Sequence, residues 1–203
     1  MFSASTGGRL RWPHFKLCWA SRQTRTMCRL CNSDRRSQVP KHHILNRTLQ
    51  RPRDLLNFVR KAIQVAASRS HDRVREADIS TAEKEYSEDM FNELKYELRD
   101  IYPQYSDMLP EFLGVDITVS CDDLYLLAMG CGISEERWPD VVQSLLWFCF
   151  LGIKTESSEV YAYQLGYSRD RIKALLRGVG NCDKRFTIHP AFHRALLIGE
   201  GNR

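Results

Sequence analysis

Residues 47–66 read RTLQRPRDLLNFVRKAIQVA, and the placement of one proline in this stretch decides the fold class. Pro52 suits the first turn of a helix, where its missing N–H costs nothing. Leu55, Leu56, Val59, Ile63 and Ala66 then recur at helical spacing, so the stretch predicts a helix ending near Arg69. Val74 precedes a second, longer helix, with an apolar stripe of Ile79, Ala82, Tyr86, Met90, Leu94, Leu98 and Ile101. Pro103 stops it. Working outward from the RPRD start, residues 44–104 form a helical module.

A second unit starts near Tyr105. Short helices are expected around 106–113 and 121–129, the latter broken by Gly130 and Gly132. Ser134 is placed to cap a helix running to about Phe150, with Trp138, Val141, Val142, Leu145, Leu146 and Cys149 inward. Residues 152–155 and 160–164 flank the polar turn 156–159 and read as a β-hairpin. Arg169 to Arg177 reads as helix, Arg185 to Ile188 as strand, and Pro190 to Leu197 as a closing helix. Helices followed by a hairpin is the order of a winged helix. The expected fold class is therefore mainly α: a helical module at 44–104, then a winged-helix-like α+β module with a short β-hairpin at 105–198, and a tail at 199–203. The apolar residues Tyr105, Met108, Leu109, Phe112 and Leu113 are too many for a free linker, so the joint is expected to be packed.

The net charge of +5 hides a division of the 203-residue chain. Residues 1–53 hold 12 Lys and Arg against one acid, Asp34, a net +11. Residues 54–203 hold 18 bases and 24 acids, a net −6, so the overall basicity says little about the folded portion. Residues 1–38 show no sustained apolar period, and a basic, disordered or non-native leader is expected over 1–43. A targeting segment, a basic tail for nucleic acid and a shifted start joined to a real domain all fit that composition. Seven scattered cysteines, an odd number, suit a reducing, cytoplasmic setting better than a disulfide framework. The longest apolar stretch, 145–153, is far too short to span a membrane.

RPRDLLNFVRKAIQVA from Arg51, then VREADISTAEKEYSEDMFNEL from Val74, resembles the C-terminal lid of a group of bacterial P-loop ATPases related to AAA+ and STAND proteins. The closing KRFTIHPAFHRAL from Lys184 resembles the end of the same proteins, where an Ile-His-Pro-aromatic segment closes a winged-helix-like module. The resemblance covers about residues 44–198. It implies that Arg53 matches the sensor arginine of such lids, with Arg51 the second choice, reaching a phosphate of ATP held by a neighbouring domain. The sequence departs from the family upstream. It has no GxxxxGK[ST] phosphate loop and no apolar strand ending in a magnesium-binding Asp. ATP and magnesium are therefore expected only in the context of a full-length ATPase, with no catalytic residue and no cofactor in this chain.

Other residue types that carry chemistry form weaker patterns. Cys28 and Cys31 make a CxxC followed by His42 and His43, half of a zinc site without its second pair. His189 and His193 lie four apart, but Pro190 puts His189 at a helix cap, which favours packing over metal binding. Cys182 has no orienting third group for a thiol nucleophile. Tyr161, Tyr163 and Tyr167 lie on or beside the hairpin. Arg169, Arg171, Lys173 and Arg177 follow them and are the candidate DNA contacts of the folded part. Two readings result. In the first, the chain is a non-catalytic lid and regulatory region partnered by the nucleotide-binding domain of a P-loop ATPase or by another protein. In the second, it is a stand-alone winged-helix DNA-binding protein.

Overall fold

The computed structural model of the chain describes residues 43–156, 158–178 and 184–199. The basic leader up to residue 42, including Cys28 and Cys31, lies outside the described residues, as does Cys182.

Helix α1 spans Pro52–Ser68 and α2 spans Glu76–Ile101. Pro52 sits in the first turn of α1, as its fixed φ requires. The buried face of α1 differs from the expected stripe. Phe58, Ala62, Val65 and Ala66 are buried, while Leu56 is 60% exposed. The face is rotated toward the side carrying Asp54 and Phe58, because Phe58 packs on Tyr86 of α2 with ring centroids 5.1 Å apart. The α2 stripe is buried from Ile79 to Leu98, and Ile101 at the helix end is exposed.

The turn between the two helices is fixed by one buried carboxylate. Asp78 Oδ2 accepts the Arg75 backbone N–H at 2.9 Å and a hydrogen bond from His71 Nδ1 at 2.8 Å. Asp78 Oδ1 accepts from Arg69 Nη1 at 2.9 Å. Burial alone would raise the Asp78 pKa, but these donors outweigh it and hold the carboxyl down at about 2.

Beyond α2 come α3, Pro103–Asp107, and a 3-10 turn, Leu109–Phe112. Tyr105, Met108, Leu109 and Phe112 are buried, whereas Leu113 is exposed. Leu113 leaves the core because the chain turns there into Gly114, whose φ of +71° few residues with a Cβ adopt. Strand β1, Thr118–Ser120, leads into α4, Cys121–Gly130, capped by Ser120, whose hydroxyl accepts from Asp123 N at 3.1 Å. Helix α5 spans Trp138–Trp147, starting three residues later than the Ser134 cap predicts. Pro139 must lie in a first turn, so residues 134–137 form a preceding turn instead, with Ser134 O accepting from Arg137 N and Trp138 N.

Strands β2, Leu151–Lys154, and β3, Glu159–Val160, form the hairpin, paired at Ile153 with Val160 and Lys154 with Glu159. Its second arm is two residues long, shorter than expected. At Tyr161 the chain leaves the sheet, because Tyr161 N donates to Gln164 Oε1 at 2.8 Å and the ring folds onto Gly152. Helix α6, Arg169–Gly178, and strand β4, Arg185–Ile188, complete the sheet. The strand order is β1-β4-β2-β3, with antiparallel neighbours. Strand β1, two helices, β2, then a late strand inserted between β1 and β2 is winged-helix topology, with β3 and α6 carried in the wing connection. The expected closing helix is only a 3-10 turn, Pro190–Phe192. Two bonds divert the chain after it. His193 donates from Nε2 to Ile188 O at 2.8 Å, and Ser87 Oγ of α2 accepts Ala195 N at 3.0 Å.

One continuous core runs from Leu49 and Phe58 through Met108, Phe112, Leu145 and Phe186 to Ile198. Phe150 is its pivot, edge-on to Phe112 at 5.0 Å and tilted against Phe192 at 5.2 Å. Buried Glu83 on α2 ties the ends of the described chain together. It receives Arg47 at 2.9 Å, His43 at 2.7 Å and Arg194 at 3.4 Å. No described helix is long and apolar enough to cross a membrane.

Candidate functional site at the start of α1

The RPRD segment splits its two arginines. Arg51 is the residue before the helix, with extended backbone, and no side chain caps α1. Its Nε donates to the Tyr167 hydroxyl at 3.1 Å, and its guanidinium lies 5.5 Å from the centre of that ring. Partial burial works against the Arg51 charge, but the Tyr167 contact outweighs it and the pKa is raised. Arg51 is thus committed inward, joining the start of α1 to the segment just before α6. Its place as the second sensor candidate does not fit this engagement.

Arg53 points outward. Its side chain is 72% exposed and makes only long contacts, 3.7 Å to Asp54 and 3.5 Å to Glu93. Exposed ion pairs of that kind contribute little, so Arg53 is free to swing to a ligand. Asp54 beside it is buried, and its Oδ2 has no hydrogen-bond partner. Burial raises the Asp54 pKa, against the pull of Arg51 and Arg53. Arg53, Asp54, Leu56, Asn57, Arg60 and Glu93 line an open groove of about 340 Å³. Asp54 is the residue that sequence reasoning passed over. An acid directly after Arg-Pro-Arg reads as a solvated ion pair, and only the rotated face of α1 shows otherwise. Glu83 had a visible signal, since it falls on the Ile79–Tyr86–Met90 stripe, where a charge needs partners.

Tyr167 continues the chain of contacts from Arg51. It meets Trp147, the last residue of α5, edge-on at 5.7 Å, and the Arg169 guanidinium lies 5.1 Å from the centre of the Trp147 ring. The four candidate DNA contacts do not form one face. Ile172 is buried, with Leu175 and Leu176 half-buried. Arg169, Lys173 and Arg177, four residues apart, share one flank of that apolar stripe, and Arg171 lies on the other. All four are exposed.

Helix α5 occupies the place of a recognition helix, and its approach is acidic. Glu135, Glu136 and Asp140 are exposed at its start, as are Asp122 and Asp123 on α4. Among the described residues the histidines have structural partners. His189 is buried, and its Nδ1 accepts from Ala191 N at 3.1 Å, so it caps the closing turn. Burial lowers its pKa to about 3, leaving a neutral ring against Tyr161 at 4.5 Å. His43 is engaged by Glu83. Among the described residues no group of three or more His, Cys, Asp or Glu is placed to hold a metal ion.

Fold and site together define a mainly helical chain, with a helix pair ahead of a winged-helix-like part and an open, arginine-bearing helix start as its candidate site. A family model described as a FunZ-associated C-terminal helical domain matches residues 13–95. The match takes in residues 13–43 of the basic leader, all of α1 and most of α2, so the chain carries a stretch similar to that C-terminal helical domain. No curated protein and no solved structure shows significant similarity to the chain.

Proposed function

We propose that this chain is the lid and C-terminal regulatory region of a P-loop ATPase, non-catalytic by itself, which clamps a nucleotide-binding core and senses its phosphate through Arg53. The observation that carries this reading is the open start of α1. It is a helix N-terminus without a side-chain cap, and an exposed arginine extends from it beside a groove. Pro52 has no N–H and the Asp54 and Leu55 N–H groups bond to Arg51 O, so the Arg53 N–H and the positive end of the helix dipole are what favour an anion there, and the Arg53 guanidinium adds a two-pronged donor. Similarity to a C-terminal helical domain supports a partner role for the helix pair and supports treating the leader from residue 13 as part of that domain. The sequence holds no phosphate loop, so ATP and magnesium belong to the partner core.

The stand-alone DNA-reading alternative gains nothing from α5, whose acidic approach repels the phosphates flanking a major groove. The test of the lid reading is direct binding. Calorimetric titration of the full chain into an ATP-loaded P-loop core of the kind that carries such a lid should give a saturable complex. Arg53→Ala should weaken it, while Lys95→Ala on the exposed side of α2 leaves it unchanged. No complex in the presence of ATP contradicts the reading.

A further inference from the structure

We propose that α6 is a phosphate-backbone contact, a ridge that binds duplex DNA without reading its sequence. Arg169, Lys173 and Arg177 stand at i, i+4 and i+8, so their stems rise about 6 Å apart along roughly 12 Å of one helix flank. Among the described residues no carboxylate lies within ion-pair distance of any of the three, whereas Arg47, Lys61 and Arg69 each have one. Arg169 is held in place by its stack on Trp147, which orients the guanidinium at low entropic cost and leaves its N–H groups available.

Charge segregation marks the same segment. Residues 169–185 carry six bases and two acids, a net +4, within a 54–203 region that is otherwise −10. A row of cations along a helix fits a linear array of phosphates, which one strand of duplex DNA presents at one charge per about 3.4 Å of axis. A membrane surface fits less well, because Ile172, Leu175 and Leu176 face the protein core and leave no apolar edge to insert. An acidic protein patch would rarely present charges in so regular a line. With α5 acidic and the wing connection basic, contact is to backbone rather than to base edges, which positions without specifying. The ridge shares no residue with the α1 groove, so the proposal stands apart from the lid reading.

The test uses the full chain, basic leader included, and a labelled random-sequence duplex of roughly 20 base pairs, read by fluorescence anisotropy across a salt series. Lys173→Glu with Arg177→Glu should weaken binding at least tenfold. It should also lower the slope of log affinity against log salt by about two, one for each lost phosphate contact. The charge-matched control Lys84→Glu with Lys95→Glu, on exposed positions of α2, should change affinity by less than about twofold, the scale of a net-charge effect alone. Lys173→Gln with Arg177→Gln should act in the same direction as the ridge variant, by a smaller factor. Both pairs are solvent-exposed, and unchanged thermal melting confirms folding. Equal losses in ridge and control variants would overturn the proposal, because then the leader and bulk charge carry the binding. Strong preference among shuffled duplexes would overturn it too.

Discussion

Gly152 shows how one missing methyl shapes the molecule. A Cβ at this position would lie 2.6 Å from Cε1 of Tyr161. That ring cannot easily retreat, being stacked on Tyr163 at 5.6 Å and edge-on to His189 at 4.5 Å. Gly152→Ala is therefore expected to destabilise by about 1–3 kcal/mol through overpacking, seen as a lower urea midpoint. His189 gives a pH signature. Its folded pKa is depressed to about 3, below the unfolded value near 6.5, so the unfolded chain binds a proton that the folded one does not. Its contribution to stability is complete above about pH 6.5 and falls as pH drops through the window down to about 3. The slope for one proton is about 1.4 kcal/mol per pH unit. Urea midpoints measured between pH 7 and pH 5, at about those values, should fall more steeply for the parent than for His189→Asn. Parallel curves would show that His189 is not the group responsible.

Among the elements, α1 and α2 were the most legible, since a proline start, a proline stop and a 3.6-residue stripe fix their existence. The exact face of α1 was not legible. Leu55, Leu56 and Val59 fit a stripe as well as Phe58, Ala62 and Val65 do, and only the Phe58–Tyr86 contact across the pair decides between them. The hairpin's short second arm was hidden for a similar reason. Tyr161 and Tyr163 alternate like strand residues, yet Tyr161 fills the slot above Gly152. The candidate site was half legible: the RPRD motif singles out two arginines, but the partner that takes Arg51 lies 116 positions away. Tyr167 holds it from a left-handed backbone, φ +53°, and Cys149, whose thiol donates to that hydroxyl at 3.9 Å, has φ +59°. Non-glycine residues persist there only when surrounding contacts fix them. Arg51 and Tyr167 are thus expected to couple. Tyr167→Phe should cost about 1.5–3 kcal/mol in the parent, the usual value of a hydrogen bond to a charged group. In an Arg51→Ala background it should cost clearly less, and additive losses in that double-mutant cycle would disprove the link.

For the whole molecule, the joint after α2 matters most. Phe112 has no exposed surface and meets Phe150 of the winged-helix-like part, while α2 is bound through Ser87 and Glu83 to the chain's closing segment. A sensor at the start of α1 can inform the rest of the chain only if these parts move together. Phe112→Ala is expected to cost roughly 3–5 kcal/mol and to shift a single calorimetric transition as a whole. Two independent transitions in the parent, with only one displaced by the substitution, would remove the physical basis of a relay.

The central claim, that Arg53 serves a nucleotide held by another domain, is tested most directly by steady-state ATP turnover. The purified chain alone should show none. Added to a P-loop core of the matching kind, it should change the core's turnover. Arg53→Ala should abolish that change by about tenfold or more, the scale of one lost charge-assisted phosphate contact. Magnesium-dependent turnover that stays with the chain alone through successive purification steps and vanishes in Arg53→Ala would contradict the account, and so would a core indifferent to both proteins.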